Sequence, residues 1–311
     1  MRRLAVAALA VLAGCGGSEA PITGGGRVVG DAITVYSSLP NPGRGEARDM
    51  VDAQKLAVQE VDGQAGGLDL NFVSVDEARS PAVTANRVIR DPQVIAVIGA
   101  LHSSTAMTTV PLYNAAGILL VSPGAGFPGF ATSDRWFPAG RGSFARMVED
   151  DRAQARVLLE AAGARRVAVE PGQGRAAAAL ADALRAADAA DDSVQIVDRA
   201  RTVIYTDEHA EPDPPPGVRP VIPDALTRAG VRLPNAVYVT SAPEPNPEFE
   251  AAFRERFGRD PGRYAVLGYE AMRSVIRALD RAAPRANLRQ DVIDAYAVEP
   301  RGLRATSAPG R

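Results

Sequence analysis

Two serines stand where a buried strand gives way to a helix. The unbroken apolar run from Val94 to Ile98 predicts a strand, and Ser103 and Ser104 open a helical segment that reaches Ala116. The hydroxyl groups and free N–H groups of such a first turn lie at the carboxyl edge of a sheet, where they can bind a carboxylate. Serines at this position also cap helices, so the spacing alone leaves both interpretations open.

A second polar loop follows the neighbouring strand. The apolar run from Ile118 to Val121 predicts that strand, and Ser122, Gly124 and Gly126 come directly after it. Glycines let a ligand approach the backbone closely, so this loop is a candidate for the same binding site. A plain turn is the alternative interpretation.

Strand-like and helix-like segments alternate along most of the chain. Continuous apolar strands joined by helices predict an α/β fold with mostly parallel sheets that carry helices on both faces. Strands are predicted at 33–37, 68–75, 94–98, 118–121, 166–170, 194–197, 203–206 and 237–240. Helices are predicted at 46–62, 81–89, 103–116, 151–162, 175–187, 247–257, 263–282 and 287–298. A proline-rich loop covers 211–217, and residues 300–311 are expected to form a loose polar tail.

Composition and charge exclude several classes of protein. The 311 residues are enough for about two domains. Lys and Arg number 35 against 37 Asp and Glu, for a net charge of −2, so there is no basic excess to bind a nucleic-acid backbone. The single cysteine, Cys15, rules out an intrachain disulfide and a zinc site built from several cysteines.

The N-terminus has the organisation of an export signal. Met1 to Arg3 is positively charged, Leu4 to Leu12 is a short apolar run, and the sequence LAGC ends at Cys15. This run resembles the lipobox of bacterial lipoproteins, which implies lipidation of Cys15 and removal of residues 1–14. An ordinary secretory signal is the alternative. Residues 15–32 include three consecutive glycines and are expected to be a flexible tether.

Two segments of the sequence resemble a known protein family. VIGALHSST, from Val97 to Thr105, and AGILLVSP, from Ala116 to Pro123, resemble type I periplasmic solute-binding proteins of the leucine/isoleucine/valine-binding kind. Further matching segments extend the resemblance over most of residues 33–282. It implies a two-lobed α/β fold, with a first lobe of 33–135 and 246–283 and a second lobe of 136–245 and 284–311.

The resemblance also assigns roles to residues. It implies that the loops of Ser103, Ser104, Ser122, Gly124 and Gly126 hold the carboxylate and part of the amino group of an amino acid. In the second lobe it places the segment 204–209, with Glu208, and the acid Asp224 on the opposite wall. Asp224 would accept the α-ammonium group, although an Asp after Pro is also a common helix N-cap.

The chain departs from the family pattern in three places. Gly126 stands where the family has a small polar residue, so one hydroxyl contact to the ligand is missing. Short connections after 197 and over 211–220 predict a reduced second lobe. No clear strand follows residue 300 for the last return crossing.

The resemblance implies an extracytoplasmic binding lipoprotein in the cell envelope, without catalytic activity, metal or cofactor. It would capture a small polar solute, an amino acid or a related amide or carboxylate, and deliver it to an ABC-type permease in the membrane. A lipoprotein with a degraded pocket that serves as a sensor or interaction module is the alternative.

Two enzyme interpretations have weaker support. The sequence from Gly172 to Ala177 fits the G-x-G-x-x-A turn of a dinucleotide site, with Asp198 ending the next strand. No hydride-transfer partner accompanies it. The sequence contains no G-x-S-x-G elbow, and its two histidines, His102 and His209, do not have the spacing of metal ligands. Both observations argue against hydrolysis.

Overall fold

The first of two sheets is built from the N-terminal part of the chain. A computed structural model describes residues 30–190, 193–244, 246–282, 288–298 and 300–307. The strands of this sheet are β1 Ala32–Leu39, β2 Gln64–Ala65, β3 Leu68–Asp76, β4 Val94–Ile98, β5 Leu119–Ser122 and β6 Phe144–Arg146. The helices between them are α1 Gly45–Gln59, α2 Pro81–Ile89 and α3 Ser103–Ala115, and short 3-10 turns occur at Pro128–Ala131 and Asp134–Trp136. The strand order is β2-β3-β1-β4-β5-β6, and only β2 runs antiparallel to its neighbour.

The second sheet is built mainly from the following residues. Its first strands are β7 Arg166–Glu170, β8 Gln195–Ile196, β9 Thr202–Tyr205, β10 Arg219–Ile222 and β11 Val237–Thr240. The remaining helices are α4 Asp151–Ala162, α5 Gly174–Asp188, α6 Asp224–Arg228, α7 Pro247–Phe257, α8 Ala265–Ala282 and α9 Leu288–Ala295. The last strand is β12 Arg304–Thr306. The order is β12-β11-β10-β9-β7-β8, with β12 antiparallel and the other strands parallel.

Apolar side chains on both faces of the first sheet explain its unbroken apolar strands. In β5, Leu119 and Val121 pack in the core formed with α1 and α8, whereas Leu120 packs in the core on the α2 and α3 side. Alternate residues of one strand therefore enter different cores. The prediction of a parallel sheet with helices on both faces is confirmed here.

The two faces of the second sheet are covered by cores of different size. Val167, Ile204 and Val221 share one core with residues of α4 and α5. On the other face, Ile222 and Tyr238 pack against Leu226 of the short helix α6. This arrangement brings α6 to the carboxyl edge of the strands, facing the other lobe.

Two strands of the second sheet were not expected from the sequence. The segment 211–220 was predicted as loop, yet β10 begins at Arg219 and includes Pro220. Pairing with β11 begins only at Val221, so the missing proline N–H falls before that ladder. The tail predicted to be loose contains β12, whose Ala305 pairs with Val239 of β11.

The lobe boundaries drawn from the sequence need correction at two segments. Residues 136–245 and 284–311 were assigned to the second lobe, but β6, at Phe144–Arg146, pairs with β5 of the first sheet. Helix α9 also belongs with the first sheet, because Leu288 and Val292 lie in its core and the Arg289 guanidinium donates to the carbonyl of Val94 at 2.8 Å. Arg289 thus anchors a helix that carries no sequence signal for either lobe.

Two of the three connections between the lobes are paired with each other. The chain crosses between β6 and α4, between β11 and α7, and between α9 and β12. Arg301 of the last crossing donates its N–H to Met147 O at 2.7 Å, and Glu149 N–H of the first donates to Arg301 O at 3.1 Å. These backbone bonds hold two crossings together at the hinge.

Nothing in the described part of the chain is a helix long and apolar enough to cross a membrane. The predicted signal peptide of residues 1–14, the lipidation site Cys15 and the tether as far as residue 29 lie outside the described residues.

A buried carboxyl group, that of Glu77, follows directly after the last residue of β3. Glu77 is 1% exposed, and it accepts hydrogen bonds from Ser38 Oγ at 3.0 Å and from Leu101 N–H at 3.2 Å. Burial raises the pKa of Glu77 to about 8, against the opposing effect of these two donors. The folded protein therefore binds a proton at Glu77 that the unfolded chain releases at lower pH.

We predict that Glu77 lowers the free energy of unfolding as the pH rises from about 5 to about 8. The raised pKa of Glu77 adds stability at low pH that is lost as the pH rises toward 8, by up to about 1.4 kcal/mol per pH unit within that window. Glu77→Gln should show a smaller fall, measured by urea unfolding at pH 5.5 and 8. The exposed acid variant Asp69→Asn is the control and should follow the wild type. Parallel pH profiles for wild type and Glu77→Gln would contradict this assignment.

Candidate functional site

The first turn of α3 holds a carboxylate that comes from the other lobe. Ser103 N–H donates to Glu208 Oε2 at 3.0 Å, and Ser104 N–H donates to Glu208 Oε1 at 2.9 Å. Glu208 follows β9 of the second sheet, and its side chain is 12% exposed. The two serines and the acid predicted from the sequence are therefore brought together across the cleft.

The carboxylate lies there because the helix start lacks another cap. The N-cap residue is His102, whose side chain makes no capping hydrogen bond. The first N–H groups of a helix need acceptors, and the positive end of the helix dipole favours an anion. Glu208 thus acts as a cap supplied from across the cleft.

The serine hydroxyls make contacts of a different kind. Ser103 Oγ accepts from Phe127 N–H at 3.1 Å, so it holds the loop after β5. Ser104 Oγ lies 3.2 Å from His209 Nε2, on the exposed rim of the cleft. The predicted donors of a carboxylate site are present as backbone groups, while both hydroxyls have partners in the protein.

Ser122 shapes the second loop from within. It is fully buried, its hydroxyl donates to Ala100 O at 2.5 Å, and it accepts from Gly124 N–H at 3.2 Å and Ala125 N–H at 2.8 Å. Ser122 therefore folds the loop, and Gly124 and Gly126 are the loop residues that line the cleft.

Asp224 lies on the opposite wall but is already paired. It is the first residue of α6, after the N-cap Pro223, and only 4% of it is exposed. Its carboxylate accepts from Arg228 Nη1 at 2.5 Å, from Ser241 N–H at 2.7 Å and Oγ at 2.8 Å, and from Tyr264 OH at 3.1 Å. The acid predicted to bind an ammonium group holds a guanidinium instead.

Arg228 was not singled out in the sequence, although its spacing from Asp224 fits an i,i+4 ion pair on a helix. It is 3% exposed, and its Nη2 donates to Gly124 O at 3.1 Å, which joins the second lobe to the first. A Cβ on residue 124 would lie 2.6 Å from Leu101 O and 2.7 Å from the guanidinium carbon, so Gly124 leaves room for both groups. The glycine predicted to admit a ligand admits this side chain.

A second buried acid, Asp151, compensates for Gly126. A Cβ on Gly126 would collide with Asp151 Oδ1, so the carboxyl group fills the space of the absent side chain. Gln154 Nε2 donates to Asp151 at 3.0 Å, and Gln154 Oε1 accepts from Asp224 N–H at 2.8 Å. Burial, and then the charge of Glu208, raise the pKa of Asp151 to about 7.

These side chains leave little space in the part of the cleft between Glu208 and Asp224. The cleft encloses a cavity of about 30 Å³, lined by Ser103, Gly126, Asp151, Glu208 and Arg228 among others. Sites for small molecules usually measure about 300 to 1,000 Å³. In this closed form the cleft has room for about two water molecules.

The two histidines do not form a hydrolytic site with the serines. Their rings meet edge to face at 4.8 Å, and burial lowers the pKa of His102 to about 4. Glu208 Oε1 lies 3.6 Å from His209 Nε2, the same nitrogen that contacts Ser104. A catalytic triad needs the acid on one ring nitrogen and the nucleophile on the other, so this geometry differs from a triad.

The turn that fits a dinucleotide fingerprint is also occupied by the protein itself. Gly172 N–H donates to Thr206 Oγ1 at 2.9 Å, and Gln173 N–H donates to Asp207 Oδ2 at 3.1 Å. A Cβ on Gly172 would lie 2.5 Å from Asp207 Cα. The glycine therefore allows two loops of the second lobe to meet, and an acidic side chain lies where a pyrophosphate would need free N–H groups.

Solved structures share this architecture at low sequence identity. No family model matches the chain, and no curated protein matches it. An ABC-transporter substrate-binding protein from Desulfitobacterium hafniense in complex with Leu has a TM-score of 0.68 at 17% identity, covering 85% of this chain and 88% of that chain. A leucine-binding protein from Thermotoga maritima has a TM-score of 0.66 at 16% identity, covering 85% and 87%.

A third structure carries a different ligand. A solute-binding protein of an ABC transporter from Rhodopseudomonas palustris BisB5, in complex with 3,4-dihydroxybenzoic acid, has a TM-score of 0.68 at 17% identity, covering 88% of both chains. The resemblance noted in the sequence is confirmed at the level of the fold, which is that of two-lobed ABC-transporter substrate-binding proteins. Two of these three neighbours are binding proteins of ABC transporters, and the third is a leucine-binding protein.

We predict strong energetic coupling between Asp224 and Arg228. Asp224→Ala or Arg228→Met alone leaves one buried charge without its partner, which typically costs about 3 to 5 kcal/mol of stability. The double variant should lose clearly less than the sum of the two single losses, measured by urea unfolding of all four proteins. Additive losses would show that the ion pair has no special part in the stability of the cleft.

Proposed function

We propose that this protein is the extracytoplasmic solute-binding component of an ABC importer and that it binds small carboxylates at the start of α3. The observation that carries the proposal is the pair of N–H groups of Ser103 and Ser104, which already hold a carboxylate in the cleft. A solute carboxylate placed there would find the same two donors and the same dipole. The fold shared with substrate-binding proteins of ABC transporters supports this proposal.

Capture requires Glu208 to leave the α3 terminus. Glu208 and a solute carboxylate compete for the same N–H groups, so a solute binds by replacing one anion with another. The lobes then open about the paired crossings at Met147, Glu149 and Arg301 and close again around the solute. Closure over a bound solute would present a distinct surface to a permease.

The proposed solute class follows from the polar groups that line the cleft. An amino acid or a related amide or carboxylate offers one anionic group for α3 and a small body that could lie between Gly126 and Asp224 once the lobes open. The neighbouring structures hold Leu in one case and 3,4-dihydroxybenzoic acid in another, and both are small carboxylates.

A second candidate function has an observation of its own. The cavity of about 30 Å³ is too small for a solute, and both charged ends of the cleft are satisfied by the protein. A lobe pair that closes on its own side chains would suit a sensor or interaction module that binds no solute.

The Glu208→Ala variant tests the first function against the second. Removal of the internal competitor should raise the affinity for benzoate and 4-methylpentanoate about tenfold to a hundredfold, because charge-assisted hydrogen bonds contribute about 1.5 to 3 kcal/mol. Isothermal titration calorimetry measures the change. The control is Glu170→Ala, which removes an exposed acid at the end of β7 and should titrate like the wild type. Absence of binding by both wild type and Glu208→Ala across a panel of small carboxylates would favour the interaction module.

The proposed location in the cell envelope depends on Cys15. We predict that Cys15→Ser abolishes incorporation of a labelled fatty acid and leaves the signal segment uncleaved at this position, since the thiol is the group that is acylated. Mass spectrometry of the mature N-terminus and membrane fractionation provide the measurement, with Ser18→Ala as the control. Normal processing of Cys15→Ser would reject the lipoprotein assignment while leaving the binding function open.

A further inference from the structure

The cation-binding end of the cleft is occupied by the chain itself. We infer that Arg228 determines specificity in this cleft, and that the protein selects carboxylates that lack an ammonium group over amino acids. This inference rests on the proposed binding of carboxylates at α3. It concerns the opposite end of the solute.

The first argument is the acceptor capacity of Asp224. An ionised carboxylate offers about four lone-pair positions. Oδ1 accepts from Ser241 N–H and Tyr264 OH, and Oδ2 accepts from Ser241 Oγ and Arg228 Nη1. All four positions are filled by donors from the protein, so Asp224 has none left for an ammonium group.

The second argument is the charge of Arg228. Its side chain is 2% exposed and forms an ion pair with Asp224 at 2.5 Å, so it neutralises the acid and remains close to the cleft. An ammonium group beside it would be desolvated next to a like charge, which is costly in a buried site. It contacts the first lobe through the bond to Gly124 O and through the Tyr264 ring, whose centroid lies 5.8 Å from the guanidinium carbon.

The third argument is a donor that has no partner. Arg228 Nε is buried and makes no hydrogen bond within the described part of the chain, while the residue lines the cavity. A solute with an oxygen atom at this end, such as a hydroxyl or carbonyl oxygen, can accept from that N–H. A solute with an ammonium group cannot.

The other acid at the cleft does not replace Asp224. Asp151 is buried beside Gly126, held by Gln154, and the pKa of about 7 leaves it mostly protonated at pH 6. Glu208 is engaged on α3, and Glu208→Ala removes it as an acceptor altogether. At pH 6 the site therefore offers no free buried acceptor of full negative charge to an ammonium group.

The test compares leucine with 4-methylpentanoate, which has the same carbon skeleton without the amine, by calorimetric titration at pH 6. Wild-type protein and Glu208→Ala should bind 4-methylpentanoate at least tenfold more tightly than leucine. Arg228→Met frees Asp224 and should shift this ratio at least tenfold toward leucine. The control Arg232→Met removes an exposed arginine four residues later and should keep the wild-type ratio.

Wild-type protein covers the case in which Arg228→Met does not fold, because its own affinity ratio already tests the inference. Equal wild-type affinity for the two ligands, or tighter binding of leucine, would overturn the role of Arg228. Failure of both ligands to bind wild type and Glu208→Ala would instead reject the carboxylate site.

Discussion

The first turn of α3 presents two backbone N–H groups to the cleft, and they need an anionic acceptor. His102 does not cap the helix, and the Ser103 hydroxyl is committed to the loop after β5. The acceptor therefore comes from the second lobe, as the Glu208 carboxylate. Because the positive end of the helix dipole favours an anion, the contact that supplies this anion also joins the two lobes.

At the opposite end of the cleft a buried anion is paired with a cation from the protein itself. Asp224 is surrounded by donors, and Arg228 supplies the cation that a buried carboxylate requires. Arg228 also reaches Gly124 in the first lobe, so each charged end contributes a contact between the lobes. Both charged ends of the cleft are thus paired by internal contacts, and the solute proposed to bind here would have to replace at least one of them.

The sequence was most informative where strands are buried on both faces. Continuous apolar runs located the central strands of both sheets, and helix starts were close to the observed ones. It failed where pairing rather than composition makes the strand. Pro220 argued against a strand, so β10 was not predicted. The three residues from Arg304 to Thr306 have no apolar pattern, and they form a strand because they pair with β11. The membership of β6 and α9 likewise depends on packing, because a helix or strand pattern does not specify which sheet it joins.

The sequence by itself determined the α/β architecture, the start of a helix at Ser103 and the free N–H groups that favour an anion there. These properties are local, since they follow from the periodicity and residue types of a few neighbouring positions. Only the tertiary structure decided which charge meets them. Glu208 lies 105 residues from Ser103 in the chain. The Asp151 carboxyl group fills the space beside Gly126, and only the contact between these two segments in the folded protein shows this. Local spacing determines which backbone groups lack a partner within their own helix, whereas long-range packing across the two lobes determines which side chain pairs with them.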